Sequence, residues 1–232
     1  MRKNLIVAQS GGPSVAINAT LAGVIAAAQA ALGIDRVYGG IHGVEGIQAG
    51  KIADLTDFHE MEKLKATPAM ALGSCRCKLP PVDQKDADIY QNLRRVFAEY
   101  DIGYFLYIGG NDSMDTVCKL THLFAGEPDA PVFLGLPKTV DNDLPLTDHT
   151  PGYGSAAKYL AITMNEIIQD TAIYAVPAVT IVEVMGRNAG WLTLAAGMPR
   201  FAGGPKPDII ALPEVPFDEE EFLRQIRETL SH

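Results

Sequence analysis

Four short polar segments of the sequence combine glycines with side chains that can bind or activate a phosphate group. They are residues 10–14 (SGGPS), 109–113 (GGNDS), 137–143 (PKTVDND) and 185–191 (MGRNAGW). Each follows a compact apolar run of the kind that forms a buried strand, and the first two also precede a helical pattern. Glycine loops and helix N-termini present backbone N–H groups that favour a bound anion. The spacing therefore favours a phosphate site built from loops at strand ends.

The first two segments are the candidate donor-phosphate loops. Gly11, Gly12 and Gly110 would let backbone N–H groups approach a phosphate, and Ser113 would lie in the first turn of a helix. Neither segment matches G-x-G-x-x-G or the P-loop pattern, so a dinucleotide site or a Walker-type ATPase is disfavoured. A tight turn that needs positive φ, or Asp112 acting only as a helix cap, is the alternative reading.

The third segment carries the candidate catalytic groups. Asp141 could take a proton from an attacking hydroxyl, Asp143 could help to hold Mg²⁺, and Lys138 could neutralise a transferring phosphate. The alternative is a turn closed by aspartate side chains. In the fourth segment, the guanidinium of Arg187 beside two glycines suits a phosphate or carboxylate of the acceptor, or else forms a structural ion pair.

The elements that position these segments indicate an α/β protein with a mostly parallel sheet. The pattern predicts strands at residues 5–8, 104–108, 132–136, 179–184 and 208–212. It predicts helices at 15–32, 87–100, 113–124, 155–170 and 219–230. Residues 39–51 are expected to be a loop with at most one short strand. A proline- and glycine-rich stretch at 145–153 predicts a boundary that gives units 1–148 and 149–232.

The composition argues against several classes of function. The net charge of −9 argues against nucleic-acid binding and against an anionic membrane surface. Three cysteines without framework spacing, and no apolar run long enough for a signal peptide or a membrane span, predict a cytoplasmic protein with no membrane partner.

Taken together and in this order, the segments make the chain resemble the phosphofructokinase family over essentially its whole length. The resemblance implies a Rossmann-like three-layer αβα fold, with residues 1–148 binding the phosphate donor and 149–232 forming an incomplete sugar-phosphate domain. It implies Mg²⁺-dependent phosphoryl transfer to the 1-hydroxyl of fructose 6-phosphate. It also implies a homodimer or homotetramer.

The resemblance assigns roles to individual residues. It places Gly11 and Arg76, which lies in a LGSCR segment at 72–76, at the donor phosphates, and Asp141 as the base. Thr139 would steady the transferring group, Asp143 would lie beside the metal, and Met185, Gly186 and Arg187 would contact the sugar phosphate. Asn111 and Asp112 are the remaining candidate metal ligands, although many family members carry an aspartate where this chain has Asn111.

Two residues bear on the identity of the donor. Members that use ATP typically carry glycine where this chain has Asp112 and Lys138. A carboxylate at position 112 would repel the α-phosphate of a nucleotide, and an ammonium group at 138 suits compact pyrophosphate. We therefore expect pyrophosphate, with ATP as the alternative. Because family members are longer, a C-terminally truncated, catalytically silent binding subunit is a third possibility.

Overall fold

The structure is a computed structural model that describes residues 3–198 and 203–231. The chain forms two compact units, Met1–Lys138 and Thr139–His232. The predicted domains, 1–148 and 149–232, also include residues 1, 2, 199–202 and 232, which lie outside the described residues. The assignment of donor binding to one part and sugar binding to the other stays a prediction.

The first unit is built on a five-stranded sheet with the order β3-β2-β1-β4-β5. The strands β2, β1, β4 and β5 run parallel, and β3 pairs antiparallel with β2. The bounds are β1 Lys3–Gln9, β2 Ile34–Gly40, β3 Ile52–Asp54, β4 Ile102–Gly109 and β5 Val132–Pro137. The predicted strands at 5–8, 104–108 and 132–136 are thus confirmed as the cores of β1, β4 and β5.

Helices cover both faces of this sheet. Their bounds are α1 Ile17–Ala30, α2 Gly43–Gln48, α3 Met61–Ala66, α4 Asp88–Glu99 and α5 Asn111–Leu123. Successive residues of β1 point to opposite faces, as the two-residue period of a strand requires. Leu5 and Val7 pack in one apolar cluster with α1, while Ile6 and Ala8 pack in a second with α2, α4 and α5. The first unit is therefore a three-layer αβα sandwich with a core on each side of its sheet.

Residues 39–51, expected to form a loop, instead contain the end of β2 and the short helix α2. Gly39 and Gly40 are the last two residues of β2, and neighbouring side chains lie close to the position that a Cβ atom would take in each. A Cβ at Gly39 would lie 2.8 Å from Leu72 Cδ2, and one at Gly40 would lie 2.5 Å from Ile47 Cδ1. The glycines that look like a loop in the sequence thus belong to the sheet, and the side chains packed against them would have to shift to admit a Cβ atom.

The second unit contains α6 Tyr153–Ala172, α7 Trp191–Ala195 and α8 Glu219–Leu230. A small apolar cluster joins α6 to α7 through Ala157, Leu192 and Ala195. The strands predicted at 179–184 and 208–212 were wrong, because neither stretch is a strand in the described chain. Val179 and Ile181 are 53% and 76% exposed, so the apolar residues that suggested a buried strand do not form a core.

Among the described residues, no helix combines the length and the apolar character needed to cross a membrane.

Candidate active site

Three neighbouring strands of the first unit end at the same edge of its sheet. β1 pairs with β4 up to Gln9 and Ile108, and β4 pairs with β5 up to Gly109 and Pro137. Because these strands are parallel, the loops that follow them meet at one edge, where open α/β sheets bind ligands. The structure therefore brings together residues 10–14, residues 109–113 and Lys138.

Hydrogen bonds tie the three loops to one another. The hydroxyls of Ser10 and Ser113 lie 2.5 Å apart. The backbone N–H of Lys138 donates to Gly109 O at 2.7 Å. The ammonium group of Lys138 donates to Gly12 O at 2.6 Å, and the residue is only 8% exposed. A buried cation is thus held beside the glycine loop that was predicted to bind phosphate.

Two glycines in these loops occupy positions where a larger residue would be strained. Gly11 has a φ of +80°, a backbone conformation that L-residues rarely adopt. A Cβ at Gly109 would lie 2.0 Å from Ser113 Oγ and 2.8 Å from Ser10 O. Gly109 is therefore needed for the close approach of the β1 and β4 loops, and Gly11 for the turn itself.

The helix α5 begins directly at the second loop, with Gly110 preceding its first residue. Ser113 is buried, whereas Asn111 and Asp112 are exposed. Asp112 forms an ion pair with Lys78 at 3.5 Å, and because both side chains are about three-quarters exposed, this pair contributes little to stability. The helix N-terminus places partial positive charge beside the loops.

The segment at 72–76 runs alongside the first loop. The backbone N–H of Gly11 donates to Cys75 O at 3.2 Å, and the Ser74 hydroxyl donates to Gly11 O at 2.6 Å. Arg76 follows directly and is exposed. The structure therefore carries the predicted phosphate-contacting arginine on a segment bonded to the Gly11 turn.

The buried phenol of Tyr107 lies next to these loops. The hydroxyl of Tyr107 accepts a hydrogen bond from Val44 N at 3.2 Å and lies 3.5 Å from Cys75 Sγ. Burial raises the pKa of Tyr107 well above its usual value, and a hydrogen bond with the Ser10 side chain opposes the shift. The phenol therefore stays neutral at physiological pH.

In the second unit, residues 139–150 form a loop closed by its own side chains. Thr139 Oγ1 accepts from Asp141 N at 3.1 Å, and Thr150 donates to Thr139 O at 2.6 Å. Asn142, with a φ of +58°, accepts from Thr150 N at 2.8 Å. One carboxylate oxygen of Asp141 is buried, as is one of Asp143. The loop thus fixes the backbone on either side of both carboxylates.

The last predicted segment forms an irregular turn before α7. Gly186 has a φ of +123°, and a Cβ there would lie 2.3 Å from Ala189 O. Met185 and Arg187 are exposed. Glu214 accepts a hydrogen bond from Gly190 N at 2.7 Å and holds the end of the turn. The turn therefore presents the predicted sugar-binding side chains to solvent within its own unit.

The family model described as Phosphofructokinase matches residues 4–232. The chain belongs to the phosphofructokinase family. It is 42% identical over 229 residues to the pyrophosphate–fructose 6-phosphate 1-phosphotransferase of Xanthomonas campestris pv. campestris (strain B100), an alignment that covers 97% of this chain and 54% of the relative. An ATP-dependent 6-phosphofructokinase of Edwardsiella ictaluri is 33% identical over 98% of this chain.

A solved structure supports the same relationship. The crystal structure of a pyrophosphate-dependent phosphofructokinase from Nitrosospira multiformis matches with a TM-score of 0.86 and 38% identity. The match covers 99% of this chain and 57% of that one, and it confirms the phosphofructokinase-like fold class. The chain spans about half the length of the pyrophosphate-dependent relatives it matches.

The predicted metal ligands of this phosphofructokinase-family chain are two carboxylates, Asp112 and Asp143, and the amide of Asn111. Residues 3–198 and 203–231 contain no cluster of three or more His, Cys, Asp and Glu side chains suited to a metal ion. Mg²⁺ usually binds through one or two carboxylates together with substrate phosphates. Asn111 and Asp112 in the first unit and Asp143 in the second each carry a side-chain oxygen of the type that Mg²⁺ binds.

Sequence reasoning missed several residues that support the family's loop motifs. Gln9 and Asn18 are fully buried polar residues beside the first loop. Ser14 Oγ is buried without a hydrogen-bond partner in the described part of the chain. A glutamine at the end of an apolar strand was the available signal, because a buried amide must find partners.

Proposed function

We propose that this chain provides the catalytic part of a phosphofructokinase-family enzyme that transfers a phosphoryl group from pyrophosphate to fructose 6-phosphate. The observation that carries the proposal is the buried Lys138 ammonium group, 2.6 Å from Gly12 O among the converged loops. Relatives at 38–42% identity are named for pyrophosphate-dependent transfer to fructose 6-phosphate, which supports the same reaction.

The donor is held by loops of the first unit. The donor lies against the Gly11 turn, and the backbone N–H groups of Gly12 and Gly110 bind phosphate oxygens, with Ser113 at the helix N-terminus and Arg76 as a second cation. These groups suit a small, highly charged anion because N–H donors and a guanidinium fork make strong hydrogen bonds to phosphate. Residues 1–148 are thus the proposed donor-binding domain, and 149–232 are part of the sugar-phosphate-binding domain.

The transfer itself requires little covalent chemistry from the protein. The 1-hydroxyl oxygen of fructose 6-phosphate attacks one phosphorus of pyrophosphate, Asp141 takes the hydroxyl proton, and the bridging P–O bond breaks to release phosphate. Lys138 neutralises charge on the transferring group, and Thr139 steadies it. Phosphoryl transfer depends mainly on such positioning and charge neutralisation. The product is fructose 1,6-bisphosphate.

Mg²⁺ is the proposed cofactor, and it supplies further neutralisation of the phosphate charge when bound. Asp143, Asn111 and Asp112 are the residues that would hold it, directly or through water. On the acceptor side, Met185, Gly186 and Arg187 bind the sugar phosphate. The guanidinium of Arg187 is exposed and suits the 6-phosphate.

Pyrophosphate is favoured over ATP by two side chains. The Asp112 carboxylate repels the α-phosphate of a nucleotide, and Lys138 adds positive charge for a compact donor. ATP is the second candidate, because relatives at 30–33% identity are named ATP-dependent 6-phosphofructokinases. The proposal also places the enzyme in the cytoplasm and in glycolysis, as a homodimer or homotetramer.

A two-donor assay tests the proposal. The purified chain is incubated with Mg²⁺, fructose 6-phosphate and either pyrophosphate or ATP, and fructose 1,6-bisphosphate is measured. We expect turnover with pyrophosphate. Turnover with ATP alone would refute the donor assignment, and turnover with neither would support a binding subunit without activity. Sedimentation velocity of the same sample measures the oligomeric state.

A further inference from the structure

Two buried amide side chains hold the irregular segment that leads to Arg76. Gln9, the last residue of β1, and Asn18, in the first turn of α1, are both 0% exposed. Gln9 Nε2 donates to Asn18 Oδ1 at 3.1 Å and lies 3.3 Å from Ile17 O. We call the Gln9 and Asn18 side chains the amide clamp.

The amide clamp bonds to three backbone groups of one segment. Gln9 Oε1 accepts from Leu72 N at 3.0 Å, and Asn18 Oδ1 accepts from Ala71 N at 2.9 Å. Asn18 Nδ2 donates to Thr67 O at 2.9 Å. Residues 67–81 are neither helix nor strand, so no ladder satisfies these groups. The hydrogen bonds of the clamp therefore satisfy backbone groups that a helix or a strand would otherwise satisfy.

From the clamp, the segment continues directly along the candidate donor site. Leu72 O accepts from His42 N at 2.8 Å, Ser74 donates to Gly11 O, and Cys75 O accepts from Gly11 N. Arg76 is the next residue. The contacts therefore form a continuous path from the buried amides, along the segment, to the Gly11 turn and to Arg76.

We propose that Gln9 and Asn18 are positioning residues that fix Arg76 for the phosphate donor. The inference rests on the proposed function for its ligand. The amides themselves do not contact the donor, because they are buried and their polar atoms bond to protein groups. They act by removing conformational freedom from a segment whose arginine is exposed, so that less of that freedom is lost when the donor binds.

The chain offers a control of the same residue type for each clamp residue. Asn4 also bridges two backbone groups, accepting from Arg36 N at 3.1 Å and donating to Tyr100 O at 2.7 Å, but it lies at the opposite end of β1. Gln29, in α1, donates to Thr56 O and Phe58 O at 2.9 Å, in a different loop. Asn18→Ala is therefore compared with Asn4→Ala, and Gln9→Met with Gln29→Met.

The first measurement is pyrophosphate affinity by calorimetry on the full chain with Mg²⁺. Both clamp variants should raise the Kd for pyrophosphate about ten- to a hundredfold, the loss that follows when one charge-assisted hydrogen bond from Arg76 to the donor is weakened. The controls should bind with near wild-type affinity. A double-mutant cycle with Arg76→Ala separates positioning from general damage, because Asn18→Ala should add little once Arg76 is gone. Unchanged affinity in the clamp variants, equal losses in the controls or additive effects in the cycle would each overturn the inference.

Amide hydrogen exchange provides a second measurement that needs no ligand. Residues 67–76 are expected to exchange at least about tenfold faster in the clamp variants, and no faster in the controls. Unchanged exchange would overturn the inference while leaving the proposed function intact. If the wild-type chain bound no pyrophosphate, the proposed function and the donor role of the clamp would both fail. Where one clamp variant does not fold, the other supplies both measurements.

Discussion

Gly110→Ala is expected to separate donor binding from folding. The position has a φ of −86°, which alanine adopts readily, and an added Cβ would lie 3.6 Å from Lys138 O, an ordinary contact. The variant should therefore fold, and its free energy of unfolding should change by less than about 1 kcal/mol. The new methyl group nevertheless occupies the space between the β4 and β5 loops, where a phosphate would approach.

The expected loss follows from the hydrogen bond that the methyl group disrupts. A phosphate oxygen bound to Gly110 N would lie about 2.9 Å from it, and such a charge-assisted bond contributes about 1.5–3 kcal/mol. The Kd for pyrophosphate should rise about ten- to a hundredfold. Calorimetry measures it, and urea unfolding checks stability. Gly33→Ala is the control, since nothing lies within 4 Å of its Cβ and it precedes β2 at the opposite edge of the sheet. Wild-type affinity in Gly110→Ala would refute the assigned phosphate position.

Four further variants test other parts of the proposal. Gly109→Ala should lower the free energy of unfolding by about 1–3 kcal/mol, because the Cβ would lie 2.8 Å from a backbone oxygen of the neighbouring loop. A variant that unfolds in urea at the wild-type midpoint would contradict this. Asp112→Gly combined with Lys138→Gly should shift the ratio of kcat/KM for pyrophosphate to that for ATP by at least about tenfold in favour of ATP. An unchanged ratio would contradict the explanation of donor choice. Asp141→Asn should lower kcat about a hundredfold or more with little change in the Kd for pyrophosphate, whereas near-normal turnover would exclude Asp141 as the base. Because burial raises the pKa of Tyr107, the neutral phenol contributes stability that is present below the pKa of the unfolded chain and is lost as pH rises above about 10. Tyr107→Phe should therefore reduce the loss of stability at alkaline pH. An identical dependence of the free energy of unfolding on pH in the variant would contradict this.

The sheet of the first unit was predictable where apolar residues form an uninterrupted run. β1, β4 and β5 are such strands, and their ends fixed the positions of the glycine loops. β2 was missed because Asp35 and Arg36 interrupt its apolar pattern and because its terminal glycines resemble a loop. Leu72 and Ile47 pack closely against those glycines, a tertiary contact that local sequence does not reveal.

The strands wrongly predicted at 179–184 and 208–212 show the limit of the same method. Their β-branched residues fit a buried strand, but a strand also needs a neighbour to satisfy its backbone groups. In the described chain neither stretch is a strand, and residues such as Ile181 remain exposed. Propensity identifies segments that can form strands, whereas pairing depends on what lies beside them.

The candidate site was predictable as a set of loop motifs but not as a network. Residue types at strand ends indicated phosphate chemistry and identified Lys138. The hydrogen bond from Lys138 to Gly12, and the partners of Gln9 and Asn18, join residues that are distant in the chain. Such contacts depend on three-dimensional packing and require the structure.

A crystal structure of the chain with pyrophosphate and Mg²⁺ is the most direct test of the central claim. We expect a phosphate group beside the Gly11 turn, with its oxygens within hydrogen-bond distance of the Gly110 backbone N–H and the Lys138 ammonium group. Pyrophosphate bound away from all three groups, at the saturating concentration that supports turnover, would contradict it.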